Sequence, residues 1–203
     1  PLRLAEIGWV IVAFTAARFA AMAFNRIADR EFDHRNPRTA MRELPRGVLR
    51  VGETWVAVAV ASALFVVASA QLNGLCLRLS PVALAWVFFY SYTKRFTRWS
   101  HLVLGGSLAI APVGGYLAVT GSWSRPWWML IALAIGVACW VAGFDIFYAL
   151  QDIDFDRAQR LESVPAAMGE ARGIFVARVL HVLSVAALAV VGMATHSGVW
   201  YWI

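Results

Sequence analysis

The stretch Asn25-Arg-Ile-Ala-Asp29-Arg-Glu-Phe-Asp33 decides how the rest of this chain is read. Asn25, Asp29 and Asp33 recur every four residues, so on a helix they stack along one face. They continue an apolar run at about 4–24, close to the length that crosses a bilayer. Ionisable groups at such a depth are costly and face a partner or a cavity rather than lipid. A second stretch repeats the arrangement: Asp145-Ile-Phe-Tyr148-Ala-Leu-Gln-Asp152-Ile-Asp-Phe-Asp156. Asp145, Tyr148, Asp152 and Asp156 also share one helical face by their spacing, whereas Asp154 falls off it and is expected to meet solvent or a loop arginine. Two facing stripes of carboxylates repel unless cations lie between them. Hard oxygen donors select Mg²⁺, and Mg²⁺ so held commonly also binds phosphate oxygens. One stripe alone is equally well a solvated helix end; two, at matching depth, predict a metal–diphosphate site at a membrane boundary.

Composition agrees with the membrane setting. Of 203 residues, 61% are hydrophobic and only 15% charged, too few charges to cover a soluble domain. Apolar runs at about 4–24, 51–71, 81–93, 101–120, 126–150 and 173–194 predict an all-α, polytopic transmembrane bundle of six full helices, with 1–203 forming a single domain. The third run is short unless it begins in the 74–80 turn. Pro81 and Pro126 suit first-turn positions, and Pro112 is a candidate kink. Gly105, Gly106, Gly114 and Gly115 predict close packing of the fourth helix.

The net charge of +6 does not imply nucleic acid, because the arginines gather in a few connections. Arg26, Arg30, Arg35, Arg38, Arg42, Arg46 and Arg50 follow the first helix, Lys94, Arg95 and Arg98 the third, and Arg157, Arg160 and Arg172 the fifth. The opposite connections hold only Arg78 and Arg125. The positive-inside rule puts the basic connections, and both acidic stretches with them, on the cytoplasmic side of a bacterial or archaeal cell membrane. The chain opens at Pro1 without an initiator Met, and Trp200–Ile203 begins a further apolar segment. A piece of a longer protein, inactive by itself, is expected.

Among the cations, Arg42 in Arg42-Glu-Leu-Pro suits a diphosphate, since a guanidinium binds phosphate in bidentate fashion. Lys94 in Tyr92-Thr-Lys-Arg-Phe-Thr97 is a second candidate clamp, against the alternative of a side chain snorkelling to the interface. Arg46 and Arg50 read as plain positive-inside charge. His34, His101, His181 and His196 have no ligand spacing, and Cys76 and Cys139 read as small buried hydrophobes rather than a disulfide. No P-loop, dinucleotide fingerprint or Ser-His-Asp grouping is present. Aromatic residues of the third and fifth helices are candidates to line a cavity for an oily chain or a cation.

At these residues the chain resembles the UbiA superfamily of intramembrane prenyltransferases. Its pattern is Asn-x-x-x-Asp-x-x-x-Asp, matched by Asn25, Asp29 and Asp33, then a second Asp-x-x-x-Asp preceded by Tyr, matched by Tyr148, Asp152 and Asp156. Asp145 stands at the upstream acidic position, and Arg26 departs from the Asp that many members carry there. Asn36-Pro-Arg-Thr, Arg42-Glu-Leu-Pro, Tyr92-Thr-Lys-Arg-Phe-Thr and Ser163-Val-Pro resemble the 4-hydroxybenzoate polyprenyltransferase branch and its relatives in menaquinone synthesis. The resemblance implies a nine-helix fold of which this chain lacks the first helix and most of the last two. It implies Mg²⁺-dependent transfer of a polyprenyl group, within the bilayer, from a polyprenyl diphosphate to a small aromatic acid such as 4-hydroxybenzoate, in ubiquinone or menaquinone synthesis. Asn25, Asp29, Asp33, Asp152 and Asp156 would hold the metal, Arg42 and Lys94 the diphosphate, and Asp145 and Tyr148 would position the diphosphate or the ring. Alternatives are a superfamily branch with a haem, chlorophyll or lipid acceptor, and an ion-coupled transporter. A CDP-alcohol phosphotransferase is disfavoured because its Asp-Gly-x-x-Ala-Arg run is missing.

Overall fold

A computed structural model describes residues 3–202. Among them six helices are long and apolar enough to cross a membrane: α1 (Leu4–Ala28), α3 (Val51–Leu72), α4 (Gly74–Thr93), α5 (Ser100–Thr120), α6 (Trp128–Ala149, continuing the span to Ala158) and α9 (Glu170–Ala194). Short helices α2 (Arg30–Arg35), α7 (Ile153–Ala158), α8 (Val164–Met168) and α10 (Val199–Trp202) lie between or after them. The described residues contain no strand. The packing divides the chain into one unit ending at Tyr92 and a second beginning at Thr93.

In the first unit α1 packs on α3 through narrow stripes of mostly small residues. Ala13, Ala16, Ala20 and Phe24 are buried on α1, and Thr54, Val58, Ala61, Ala68 and Ser69 on α3. Val56, Val60, Leu64 and Val67, by contrast, are exposed along the other side of α3. Large apolar side chains outside and small ones inside suit a lipid solvent, in which close backbone approach rather than the hydrophobic effect joins helices. Asn73 caps α4, its Oδ1 accepting from the N–H groups of Leu75 and Cys76 at 3.0 and 2.9 Å. Pro81 is therefore inside the helix, not in its first turn. The Leu77 carbonyl, which Pro81 cannot serve, accepts instead from the Ser80 hydroxyl at 2.9 Å.

In the second unit α6 is central, packing against both α5 and α9. Gly105 allows the α5 contact: a Cβ there would overlap the Ala138 carbonyl. Gly114 faces open space and is not used in this way. Helix α5 runs unbroken through Pro112. On the other flank, Ser184 of α9 donates to the Gly136 carbonyl of α6 at 2.7 Å. Pro126 precedes α6 rather than entering its first turn; its carbonyl accepts from Met129 N–H and the Ser124 hydroxyl. Cys139, Ala142, Ile146, Val164, Ala177 and Leu180 form a buried cluster at the end of α6 that carries the acidic residues. Both cysteines are free, as expected.

Candidate active site

Each acidic stretch lies where a long helix stops and a six-residue helix starts. Helix α1 ends at Ala28; Asp29 takes φ −95°, ψ 5°, and α2 begins at the next residue. Helix α6 ends at Ala149, a 3₁₀ turn covers Leu150–Asp152, Asp152 takes φ −113°, ψ 11°, and α7 begins there. In both, the middle acid occupies the bridge region between helix and turn, where many functional residues sit. The last acid, Asp33 or Asp156, is buried on the short helix. Spacing places each stretch on one helical face, and the structure interrupts each face with a break. The i→i−4 bonding nevertheless persists across the first break, with Asp29 N–H on Asn25 O at 2.9 Å and Asp33 N–H on Asp29 O at 2.8 Å.

In the first unit Asn25 Nδ2 donates to Asp29 Oδ2 at 2.9 Å and approaches Ser91 Oγ at 3.4 Å. One guanidinium nitrogen of Arg42 donates to both oxygens of Asp33, at 2.7 and 2.8 Å, and Arg26 stands 3.8 Å away. The cation expected on the diphosphate therefore neutralises a carboxylate expected on the metal. Such charge-assisted bonds are among the strong ones. The Thr39 hydroxyl, donating to the Asp33 carbonyl at 3.1 Å, holds the adjoining loop on α2. One residue before Asn25, Phe24 stacks on Phe88 at 4.4 Å and meets Trp55 and Tyr92 edge-on at 5.7 and 5.9 Å.

In the second unit Asp152 and Asp156 are buried, whereas Tyr148 is 66% exposed and Asp154 is exposed. The 3₁₀ turn winds three residues per turn, so the shared face inferred for an α-helix does not carry through from Tyr148 to Asp152. The Ser163 hydroxyl hydrogen-bonds the Asp156 carboxylate, and the Lys94 charge acts on the same group. Ser163 also caps α8, accepting from Ala166 N–H at 3.3 Å. Asp156 Oδ2 is fully buried with no hydrogen-bond partner among the described residues. A buried anionic oxygen left so is costly unless a cation or proton meets it. Glu162 N–H donates to the Lys94 carbonyl at 2.6 Å, which ties the loop before α8 to the segment leading into α5.

Asp145, the acid deepest in the membrane-spanning run, has its Oδ2 2.7 Å from Nδ1 of His101, a residue only 1% exposed. Spacing gives no role to His101; the signal available is a histidine opening an apolar helix, which must find a polar partner. Among the described residues no three His, Cys, Asp or Glu side chains are close enough to hold a metal by themselves. The donor set of carboxylates and one amide still fits Mg²⁺, which takes one or two carboxylates plus substrate phosphates rather than a complete protein cage.

Comparison with known proteins adds to this geometry. The model of the UbiA prenyltransferase family matches residues 1–203. A 4-hydroxybenzoate octaprenyltransferase of Citrobacter koseri is 29% identical over 96% of this chain and 68% of its own length. Its counterpart in Azotobacter vinelandii is 31% identical over 91% of the chain and 61% of its own length. The chain spans about two thirds of the length of the curated relatives it matches. The apo structure of a UbiA homolog from Aeropyrum pernix K1 superposes with a TM-score of 0.94 at 35% identity, covering 100% of this chain and 75% of that one.

Proposed function

This chain belongs to the UbiA prenyltransferase family, and from that premise we propose that it transfers a polyprenyl group from an allylic diphosphate to an aromatic acid. The six long apolar helices and the family place it in a membrane as an integral protein. The observation that carries the reading is the repeated helix break. Each unit presents a middle acid at the break and a buried acid four residues on, one matched to Arg42 and the other left with an orphan oxygen near Lys94.

In this reading Asn25, Asp29, Asp33, Asp152 and Asp156 hold Mg²⁺ on the diphosphate. The metal, when bound, neutralises phosphate charge and polarises the C–O bond. Support comes from the UbiA homolog of Archaeoglobus fulgidus, whose structure carries DMAPP and Mg²⁺; at 21% identity and a TM-score of 0.76, its likeness to this chain lies in the fold. Arg42, which pairs with Asp33 in the structure, would turn to the incoming diphosphate, leaving the Asp33 carboxylate as one of the groups that would hold Mg²⁺. Arg42 and Lys94 then stabilise the charge that builds on the leaving pyrophosphate. The electrons of the C–O bond leave with pyrophosphate. The allylic cation that remains is stabilised by aromatic faces, for which the group of Trp55, Phe88 and Tyr92 around Phe24, the residue before Asn25 in the sequence, is the candidate. The electron-rich ring attacks the cation and loses a proton to restore aromaticity, with Asp145 and Tyr148 positioning the reacting groups. 4-Hydroxybenzoate is the acceptor best supported, because it is named in the relatives of Citrobacter koseri and Azotobacter vinelandii, and that acceptor implies quinone synthesis as the pathway. The basic connections beside the acids face the cytoplasm.

Mass analysis of products from the protein in liposomes, supplied with mixed prenyl diphosphates and aromatic acids, tests the proposal. It predicts a prenylated aromatic acid and one pyrophosphate per turnover, both dependent on Mg²⁺. Cation flux without prenyl transfer would replace it with the transporter reading.

A further inference from the structure

His101 lies in the first turn of α5, in the second unit but outside the acidic stretches, and it makes two hydrogen bonds whose directions fix its chemistry. Val164 N–H can only donate, and it does so to Nε2 of His101 at 3.2 Å. Nε2 is therefore unprotonated, and the imidazole proton sits on Nδ1. That proton points at Asp145 Oδ2, 2.7 Å away, which as a carboxylate oxygen can only accept. Both ring nitrogens are used, so His101 has none free to take a proton from a substrate. It joins three elements: the start of α5, the end of α6 and the residue that opens α8.

The other oxygen, Asp145 Oδ1, takes no hydrogen bond from the described residues, and the Asp145 side chain is 25% exposed. A carboxylate in an apolar span is costly, and one held at a single oxygen keeps the second for another partner. We propose that His101 is a positioning residue, a neutral Nδ1–H tautomer that fixes the direction of the Asp145 carboxylate and leaves Oδ1 for the reacting groups. This rests on prenyl transfer as the reaction.

The two bonds separate experimentally because amide side chains copy one imidazole nitrogen each. His101→Asn places an N–H donor near the Nδ1 position, retaining the Asp145 bond and losing that to Val164. His101→Gln places an acceptor near Nε2, retaining Val164 and losing the donor to Asp145. The expected result is a fall of about 10–100-fold in kcat for His101→Gln, the cost of a charge-assisted bond that directs a reacting group. His101→Asn stays within about threefold of wild type, and KM for both substrates changes little in either, because the Asp145 charge remains. A larger loss in His101→Asn than in His101→Gln would mean that His101 serves only to hold the α8 loop, and equal losses would equally overturn the assignment. Histidine ¹⁵N NMR of the wild-type protein, with His101 identified by its absence in His101→Asn, gives a readout independent of turnover. A proton on Nδ1 is expected; a proton on Nε2 refutes the proposal. A wild-type protein that shows the Nδ1–H tautomer yet transfers no prenyl group would place the failure in the reaction and not in the bond.

Discussion

Replacing Gly105 by valine tests how the α5–α6 contact supports the site. A Cβ at Gly105 would overlap the Ala138 carbonyl oxygen and come within 2.8 and 2.9 Å of the Ala138 C and Cα atoms. These are backbone atoms of α6, so no rotamer change relieves the clash. Restoring ordinary carbon contacts requires the helices to part by about 1 Å. Overpacking with a branched side chain against backbone costs about 3 kcal/mol, less a few tenths for leaving glycine in a helix. At about 2–4 °C per kcal/mol for a chain of this size, the melting temperature in detergent should fall by roughly 6–12 °C. The same parting reaches the site. His101 is one helical turn from Gly105, and its 2.7 Å bond to Asp145 on α6 would open toward roughly 3.7 Å, outside hydrogen-bond range. Prenyl transfer in liposomes should therefore fall even at temperatures where the variant is folded. Gly114→Ala is the control: open space surrounds that position, so it should be neutral or up to about 1 kcal/mol more stable, with normal turnover. A Gly105→Val protein that melts within a degree or two of wild type and turns over normally would refute the close approach.

Asp29→Ala and Asp152→Ala should each abolish prenyl transfer while leaving a folded membrane protein, as read by turnover and by size-exclusion profile; near-normal transfer by either at ordinary Mg²⁺ would sink the metal assignment. Arg42→Lys, which cannot present a planar fork, should raise KM for the prenyl diphosphate by about tenfold with a smaller change for the acceptor, measured by initial rates. Ser163→Ala removes the α8 cap and a hydrogen bond to buried Asp156, so it should lower stability by about 1–2 kcal/mol and increase the Mg²⁺ needed for half-maximal activity. Ser184→Ala leaves the Gly136 carbonyl without its cross-helix donor and should cost about 0.6–1.7 kcal/mol by thermal unfolding, with no effect on Mg²⁺ dependence.

The six spanning helices are legible in the sequence because lipid demands long apolar runs and gathers charge at their ends. Their boundaries are less so. Pro81 reads as a helix start until Ser80 is seen serving the carbonyl that proline leaves free, a substitution that hydropathy does not register. The acids are legible by spacing, but the breaks at Asp29 and Asp152 are not. A bridge-region residue at Asp29 and a 3₁₀ turn ending at Asp152 leave the i,i+4 pattern of residue types untouched while changing the winding of the chain, and for that reason spacing groups Tyr148 with Asp152. Arg42 stands out by its chemistry; its pairing with Asp33 depends on the loop at 36–41 folding back on α2. His101 escapes a reading by motif because its partners lie 44 and 63 positions away along the chain. A polar residue satisfied only by distant partners announces nothing in its neighbourhood except that it must have them.

The central claim is that acids from both stretches bind one metal–diphosphate group, and Mn²⁺ binding monitored by electron paramagnetic resonance tests it most directly. The protein is titrated with Mn²⁺ in place of Mg²⁺, with and without an unreactive prenyl thiodiphosphate. Tight binding should require the diphosphate analogue, show coupling to ³¹P, and be lost in both Asp29→Ala and Asp152→Ala. Tight Mn²⁺ binding without the analogue, or undiminished binding in either variant, would contradict a shared site.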